Sequence, residues 1–328
     1  MSTKSTKTLP KPSNDLADQL RAVVGSDQLF SHHTIGQYTY TGFGGVAEIL
    51  VVVKTTQELM EVARAIQQSR QPYVVIGAGS GSLWSDVGFN GVVIVNQCQA
   101  LYFSAEASQV VVDAGYSLSA LVNALASRGW GGMEFASAIP GTVGGAVATG
   151  ASWQGKSVRN FVREVTMLVA DGSEIKLVTV AVNSLPNQKD GWLFPLTGQS
   201  NPIILTVKFQ VAALTQSEIL RRVKLVRLGR RHFNQQMLGY VFLPSLSSLP
   251  LDYRRLAKEV LPRGISIDRN DTNILCFQPG RVLPNDLRLA IQAIEDYCVQ
   301  NGYTVSQRLA LLGYWPDRGE SDESTKNT

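Results

Sequence analysis

Cysteine and histidine are scarce, with three of each in 328 residues. Cys98, Cys276 and Cys298 lie far apart and show no metal-like spacing. An odd, sparse set offers no disulfide framework, so a reducing compartment is expected and each thiol reads as a small buried hydrophobe. His32, His33 and His232 lack the spacing of a zinc site. Charge is also thin: charged residues make up 17% and the formal net charge is +4. That balance is too mild to argue for a nucleic-acid partner, whereas a few local Arg or Lys residues suffice for an anionic small ligand. No apolar run reaches the ~18–20 residues that a membrane span needs. Met1 to Asn14 is basic and polar with no apolar core behind it. It is expected to be a tail rather than a secretory signal. The stretch after Asp317 is charged and rich in Ser and Thr, and disorder is expected there. A cytoplasmic protein is expected, and a monomer.

Hydrophobic residues, at 44%, are plentiful enough for sizeable cores, and the length suits two or three domains. Glycine is abundant at 29 residues, so tight turns and close backbone approaches are expected. Asp15 to Val24 reads as a short helix, with Leu16, Leu20 and Val23 at helical spacing. Ala47 to Val53 is an apolar, Val-rich run of strand length. Thr55 or Thr56 is placed to cap a helix with Leu59, Val62, Ala63 and Ile66 on one face. Tyr73 to Ile76 is a second buried strand and Val92 to Val95 a third. Further on, Val110 to Ala114 reads as a strand and Leu118 to Arg128 as a helix. Glu164 to Val169, Ser173 to Val178 and Ile203 to Val211 read as strands, the first two joined by an Asp171-Gly172 turn. A basic helix follows from Ser217 to about Phe233, carrying Arg221, Arg222, Lys224, Arg227, Arg230 and Arg231. Such a run is either a solvated face covering a domain seam or a contact for a diphosphate or a protein. Leu251 to Val260 reads as helical and Gly264 to Phe277 as a turn and strand. Pro284 to Asn301 is an amphipathic helix with Leu287, Leu289, Ile291, Ile294 and Tyr297 inward. Strands and helices mixed in three groups argue for α+β lobes rather than one doubly wound sheet.

Two glycine-dense segments are candidates for ligand contact. Gly77-Ala78-Gly79-Ser80-Gly81-Ser82 follows a strand directly. Glycines there let backbone N–H groups approach a pyrophosphate, and Ser80 and Ser82 could add hydroxyl donors. The segment lacks the third glycine of a Rossmann fingerprint, and a tight surface turn is the alternative. Ile139-Pro140-Gly141-Thr142-Val143-Gly144-Gly145 interrupts an otherwise apolar stretch. Gly141, Gly144 and Gly145 suggest backbone pressed against a flat ligand with free N–H groups, the alternative being a helix start packed closely on a strand. Two such turns in neighbouring lobes point to one shared ligand.

These segments also carry a resemblance. Tyr38-Thr39-Tyr40-Thr41 and Gly44-Gly45-x-Ala47 resemble the opening of the MurB family, the UDP-N-acetylmuramate dehydrogenases, and Gly77-x-Gly79-Ser80 with Ser85-Asp86-x-Gly88-Phe89-x-Gly91 resembles its flavin pyrophosphate loop. Glu134-Phe135 with Ala138-Ile139-Pro140-Gly141-Thr142-Val143-Gly144-Gly145-Ala146 is the most specific match. Gly239-x-Val241-Phe242, Asn273 with Ile274-Leu275, and Gly313 extend it, so that it covers about residues 25 to 315. The resemblance implies an α+β fold. A two-lobed FAD-binding domain of the vanillyl-alcohol-oxidase (PCMH) type would precede a C-terminal α+β substrate domain. The implied division is a tail and short helix at 1–24, lobe one at 25–100, lobe two at 101–215, the substrate domain at 216–316 and a tail at 317–328. It implies FAD as cofactor, NADPH as hydride donor and a UDP-sugar substrate. The reaction would be reduction of UDP-N-acetylglucosamine enolpyruvate to UDP-N-acetylmuramate for peptidoglycan. Implied cofactor residues are Tyr40, Gly77, Ala78, Gly79, Ser80, Gly81, Ser82, Ile139, Pro140, Gly141, Thr142, Gly144 and Gly145. Asn273 is the implied substrate residue, and no metal is implied.

The chain departs from the family pattern where the chemistry lies. The family's proton-donating serine in Gly-Ser-Val-Phe is Tyr240 here. The family's Tyr-Arg pair should fall between Val178 and Ile203, where there is no arginine; Lys189 and Trp192 are the nearest substitutes. The family's C-terminal glutamate, five residues before a glycine, is Arg308. Gly150-Ala151-Ser152 replaces an Asn-Ala-Gly string, and Gly81 replaces an asparagine. Loss of an acid–base donor alone costs about 10²–10⁴-fold in rate. Tyr240 and Arg308 are therefore the candidate catalytic residues of a divergent reductase. The other reading is a flavin- or UDP-sugar-binding paralogue with a binding or regulatory role.

Overall fold

The run Val46–Val53 is apolar except for Glu48, so as a strand it has no face to offer to water. It is covered on both sides. The computed structural model describes residues 14–104, 108–153, 155–172, 174–184, 202–229, 239–242, 261–267, 274–278, 280–301 and 310–315, the side chains of Asn14, 239–242 and Ile274 excepted. Its first sheet contains β1 (Leu29–Thr34), β2 (Val46–Val53), β3 (Tyr73–Ile76) and β5 (Phe89–Asn96) in the order β1-β2-β5-β3. β1 runs antiparallel to β2, whereas β2 and β3 both flank β5 in parallel. Helices α1 (Asn14–Val24) and α2 (Thr56–Ser69) cover one face. There Leu16, Leu20, Leu59, Val62 and Ile66 pack on Ile49, Val51, Val53 and Ile94. Burying each such side chain stabilises by roughly 1.5–3 kcal/mol before chain entropy is counted. Thr55 caps α2, accepting from Glu58 N–H at 3.1 Å, while Glu58 accepts from Lys54 N–H at 2.7 Å.

The glycine-dense turn after β3 leads into β4 (Ser82–Trp84), not into a helix. β4 pairs in parallel with β18 (Ala310–Leu312) from the far end of the chain. Trp84, Ala310 and Leu312 join Leu50, Val52, Val74 and Val93 on the second face of the first sheet.

The second sheet is wholly antiparallel. It comprises β6 (Leu101–Ser104), β7 (Gln109–Asp113), β11 (Val162–Asp171), β12 (Glu174–Ala181) and β13 (Ile203–Gln210), ordered β12-β11-β13-β7-β6. The Asp171-Gly172 turn joins β11 to β12 as expected. Helices α3 (Leu118–Ser127) and α4 (Val143–Thr149) pack on this sheet, and so does α5 (Gln216–Gly229) through Ile219 and Val223. Short pairs complete it: β8 (Trp130–Gly131) with β14 (Ala212–Ala213), and β9 (Ser152–Trp153) with β10 (Lys156–Ser157). The two lobes are not independent. Leu168, Ile203 and Leu205 of the second sheet lie in the same core as α1 and α2. Buried Asp113 adds a polar clasp: its carboxylate accepts from Thr56 Oγ1 at 3.2 Å and from Ala100 N–H at 2.8 Å.

A third group holds β15 (Gly239–Phe242), β16 (Ile265–Ile267) and β17 (Ile274–Phe277), ordered β15-β17-β16, and α6 (Pro284–Gln300). The inward stripe of α6 is Leu287, Ala290, Ile291, Ile294 and Cys298. Leu289 and Tyr297, expected inward, are only half-buried, because the helical period brings Ala290 and Cys298 to the centre instead. Among the described residues no helix is long and apolar enough to cross a membrane. The expected helix at 251–260, both expected tails, and Arg230 and Arg231 lie outside the described residues.

Candidate functional site

The two glycine-dense turns meet. Ser80 Oγ donates to Pro140 O at 2.9 Å across the lobe boundary. A Cβ on Gly77 would stand 2.2 Å from Thr142 Oγ1, and one on Gly141 would stand 2.9 Å from Ser80 Oγ. Behind this contact lies a cleft of about 240 Å³, lined by Gly77 to Ser82, Ile139 to Thr142, Gly144 and Gly145. All the expected cofactor residues line it except Tyr40, which is 43% exposed. The segment of Tyr40 acts from behind: a Cβ on Gly79 would be 2.7 Å from Thr39 Cα and 2.9 Å from Tyr38 O. With φ at +61°, Gly79 occupies a conformation that only glycine adopts without strain.

The first turn is a donor array. Among the described residues, no backbone N–H from Gly77 to Gly81 has an acceptor. A run of N–H groups left open along one wall is the arrangement that binds a diphosphate. The two hydroxyls that accompany it line the cleft and donate within the protein. Ser80 Oγ donates to Pro140, while buried Ser82 Oγ donates to Gly79 O at 3.3 Å and accepts from Trp84 Nε1 at 3.0 Å.

The second turn differs. Gly144 N–H donates to Ala114 O at 2.8 Å, and its missing Cβ would lie 2.7 Å from Ala114 Cβ. Gly144 therefore permits close helix–strand packing and has no free N–H. Gly145 N–H donates to Thr142 Oγ1 at 3.4 Å in the N-cap of α4. Of the three glycines, Gly141 alone keeps an N–H without an acceptor among the described residues.

Side-chain charge is absent from this surface. Among the described residues, the cleft is lined by no Asp, Glu, Lys, Arg or His. Its one ionisable residue is Tyr73, whose phenol burial pushes up to about 12. Arg163 lines a separate groove with Arg159, Asn160 and Gln210. It does not line the cleft. Tyr240 sits in β15 with its backbone opposite Cys276. Its side chain lies outside the described residues, as do Lys189, Trp192, Asn273 and Arg308.

Other lining residues were not singled out from sequence: Tyr73, Asn96, Thr149, Trp153 and Pro202. Asn96 carried a usable signal as the polar residue that ends an apolar strand. Pro202 carried none.

Comparison with known proteins agrees with this geometry. Residues 47–177 match the FAD binding domain family. The UDP-N-acetylenolpyruvoylglucosamine reductase of Chlamydia abortus is 25% identical over 283 residues, covering 85% of this chain and 93% of that protein. The UDP-N-acetylenolpyruvoylglucosamine reductase 1 of Bacillus cereus is 31% identical over 214 residues, covering 63% of this chain and 68% of that protein. The crystal structure of MurB from Thermus caldophilus superposes with a TM-score of 0.64 at 22% identity, covering 86% of this chain and 98% of that one. That likeness bears on fold and gives the two-lobed α+β arrangement. With an FAD binding domain whose two glycine turns close on one cleft, and with relatives that match along most of their length, the chain belongs to the UDP-N-acetylenolpyruvoylglucosamine reductase family.

Proposed function

We propose that this protein is a divergent FAD-dependent reductase acting in peptidoglycan precursor synthesis. It takes hydride from NADPH and reduces the enolpyruvyl group of UDP-N-acetylglucosamine enolpyruvate to give UDP-N-acetylmuramate. The observation that carries this is the open N–H run from Gly77 to Gly81 at the meeting of two lobes. It fits a dinucleotide, since a diphosphate needs donors, and the N–H groups of Gly77 to Gly81 and of Gly141 supply them without side chains. Bound flavin supplies the hydride chemistry. The chain holds the cofactor between its turns and excludes water with the apolar wall of Ile76, Ile139, Pro140, Ile203 and Ile204. We assign protonation of the substrate carbon to Tyr240, charge stabilisation to Arg308 and sugar-nucleotide contact to Asn273. We also propose domain bounds at 25–100, 101–215 and 216–316, with α5 fastened to the second lobe, and a cytoplasmic monomer.

A second reading has one observation in its favour. No cation or acid lines the cleft among the described residues, while reduction of an enol ether needs both charge stabilisation and a proton. On that reading the protein binds FAD or a UDP-sugar without turnover. Visible spectroscopy separates the two. The purified protein is expected to be yellow, to bleach with NADPH under argon, and to regain colour on adding the UDP-enolpyruvyl sugar. Bleaching with no return of colour would select the second reading. A colourless protein that cannot be reconstituted with FAD would remove the first reading and leave only the UDP-sugar form of the second.

A further inference from the structure

Helix α4 forms part of the cleft wall through Gly144, Gly145, Ala146, Ala148 and Thr149. Its sequence, VGGAVAT, is a poor helix former over 7 residues. Glycine in a helix interior costs roughly 1 kcal/mol relative to alanine, and a helix shorter than about 12 residues does not stand alone in water. Something outside the helix must fix it. At the front, Thr142 caps it and Ala114 O accepts from Gly144 N–H at 2.8 Å. At the back, the half-buried Arg159 reaches in from the following 3-10 turn. Its Nε donates to Val147 O and its Nη2 to Ala148 O, both at 2.8 Å. Val147 O otherwise accepts only from the capping Gly150 N–H at 3.3 Å and Ala148 O from no other described group, and a planar guanidinium meets the two at once in a way that an ammonium cannot. Arg159 is itself held, its N–H donating to Ser157 Oγ at 3.3 Å while Val158 N–H donates to Ala151 O at 2.9 Å. It does not line the cleft.

We infer that Arg159 is a positioning residue for the cofactor, clamping the rear of α4 so that the wall opposite the 77–81 turn stays in place. This rests on the reading of the cleft as the flavin site. The clamp acts through α4 and touches no reacting atom. Two measurements test it on the full chain stripped of flavin and on its R159K and R159M variants: FAD affinity by fluorescence quenching, and amide hydrogen exchange over residues 143–150. R159M is expected to bind FAD about tenfold more weakly, the size of one charge-assisted hydrogen bond, and to exchange faster at 143–150. Amides of β11 and β13 should exchange at the parent rate. R159K should fall between parent and R159M, since it keeps the charge but not the fork. If the parent binds FAD and both variants match it in affinity and exchange, the clamp is refuted. It is also refuted if protection falls evenly across the second lobe, because Arg159 is then a general stabiliser. A parent that cannot bind FAD removes the cofactor assignment and this proposal together, an outcome distinct from variants that merely equal a binding parent.

Discussion

The turns at 77–81 and 141–145 have similar glycine content and do different work. In the first, glycine keeps N–H groups open toward a cleft. In the second, Gly144 lets α4 lie against Ala114 with its N–H already committed, and Gly145 belongs to a helix cap. Glycine density alone therefore does not mark ligand contact. What separates the two cases is whether each N–H already has an acceptor, since Gly77 and Gly79 abut protein as closely as Gly144 does.

Substitution breaks the comparison most sharply at Gly79. An alanine there meets Thr39 Cα at 2.7 Å and must adopt φ near +61°. The turn has to move, and its N–H groups move with it. G79A is expected to lose roughly a hundredfold in FAD affinity, equivalent to about 3 kcal/mol. G144A is expected to act on the other side of the comparison. Its Cβ lands 2.7 Å from Ala114 Cβ, an overpacking that costs about 1–3 kcal/mol of folding stability. Denaturant midpoints and FAD titrations of the two variants should rank oppositely: the larger affinity loss in the first, the larger stability loss in the second. Equal losses of both quantities in both variants would erase the distinction.

That distinction also marks how far sequence could be read. Strands β2, β3 and β5 were legible because continuous apolar runs bounded by Gly, Pro and Thr leave few alternatives. The Thr55 cap was legible within one residue, and the structure shows Thr56 serving Asp113 instead. The pairing of β4 with β18 was not, since three-residue strands carry no period and the partner lies at the far end of the chain. In the site, the glycines expected from sequence line one cleft, while the hydrogen bonds of the neighbouring hydroxyls were not legible. Ser80 and Ser82 looked like ligand donors because a hydroxyl after a strand commonly is one. Only tertiary structure shows them committed to Pro140 and Gly79. Tyr40 lies off the cleft lining, and its segment meets the turn through the backbone of Tyr38 and Thr39, which bears no side-chain signal.

Gly81 sharpens the comparison at smaller scale. It lies in the open turn, yet a Cβ there meets only Thr149 Cγ2 at 3.5 Å, an ordinary contact. G81N restores the residue that the family pattern carries at this position and should leave stability within about 0.5 kcal/mol. One added side-chain donor should tighten FAD by about two- to fivefold. A large fall in affinity would mean that the space beside Gly81 is already filled by the ligand.

The smallest expected effect is none. If open backbone N–H groups and not side chains hold the diphosphate, nothing in the described lining changes charge near neutrality. Tyr73 is the one ionisable group there, and burial raises its phenol to about 12. The sign follows from that direction: a folded-state value above the unfolded one gives stability that is complete below about pH 10 and fades as pH rises toward 12. FAD affinity should therefore be flat from about pH 6 to pH 9, the interval in which histidine and perturbed cysteine titrate. A step within that interval would bring a titrating side chain from outside the described lining into contact with the cofactor. It would make the first turn only part of the anion site and so end the contrast between a site read by backbone and one read by side chains.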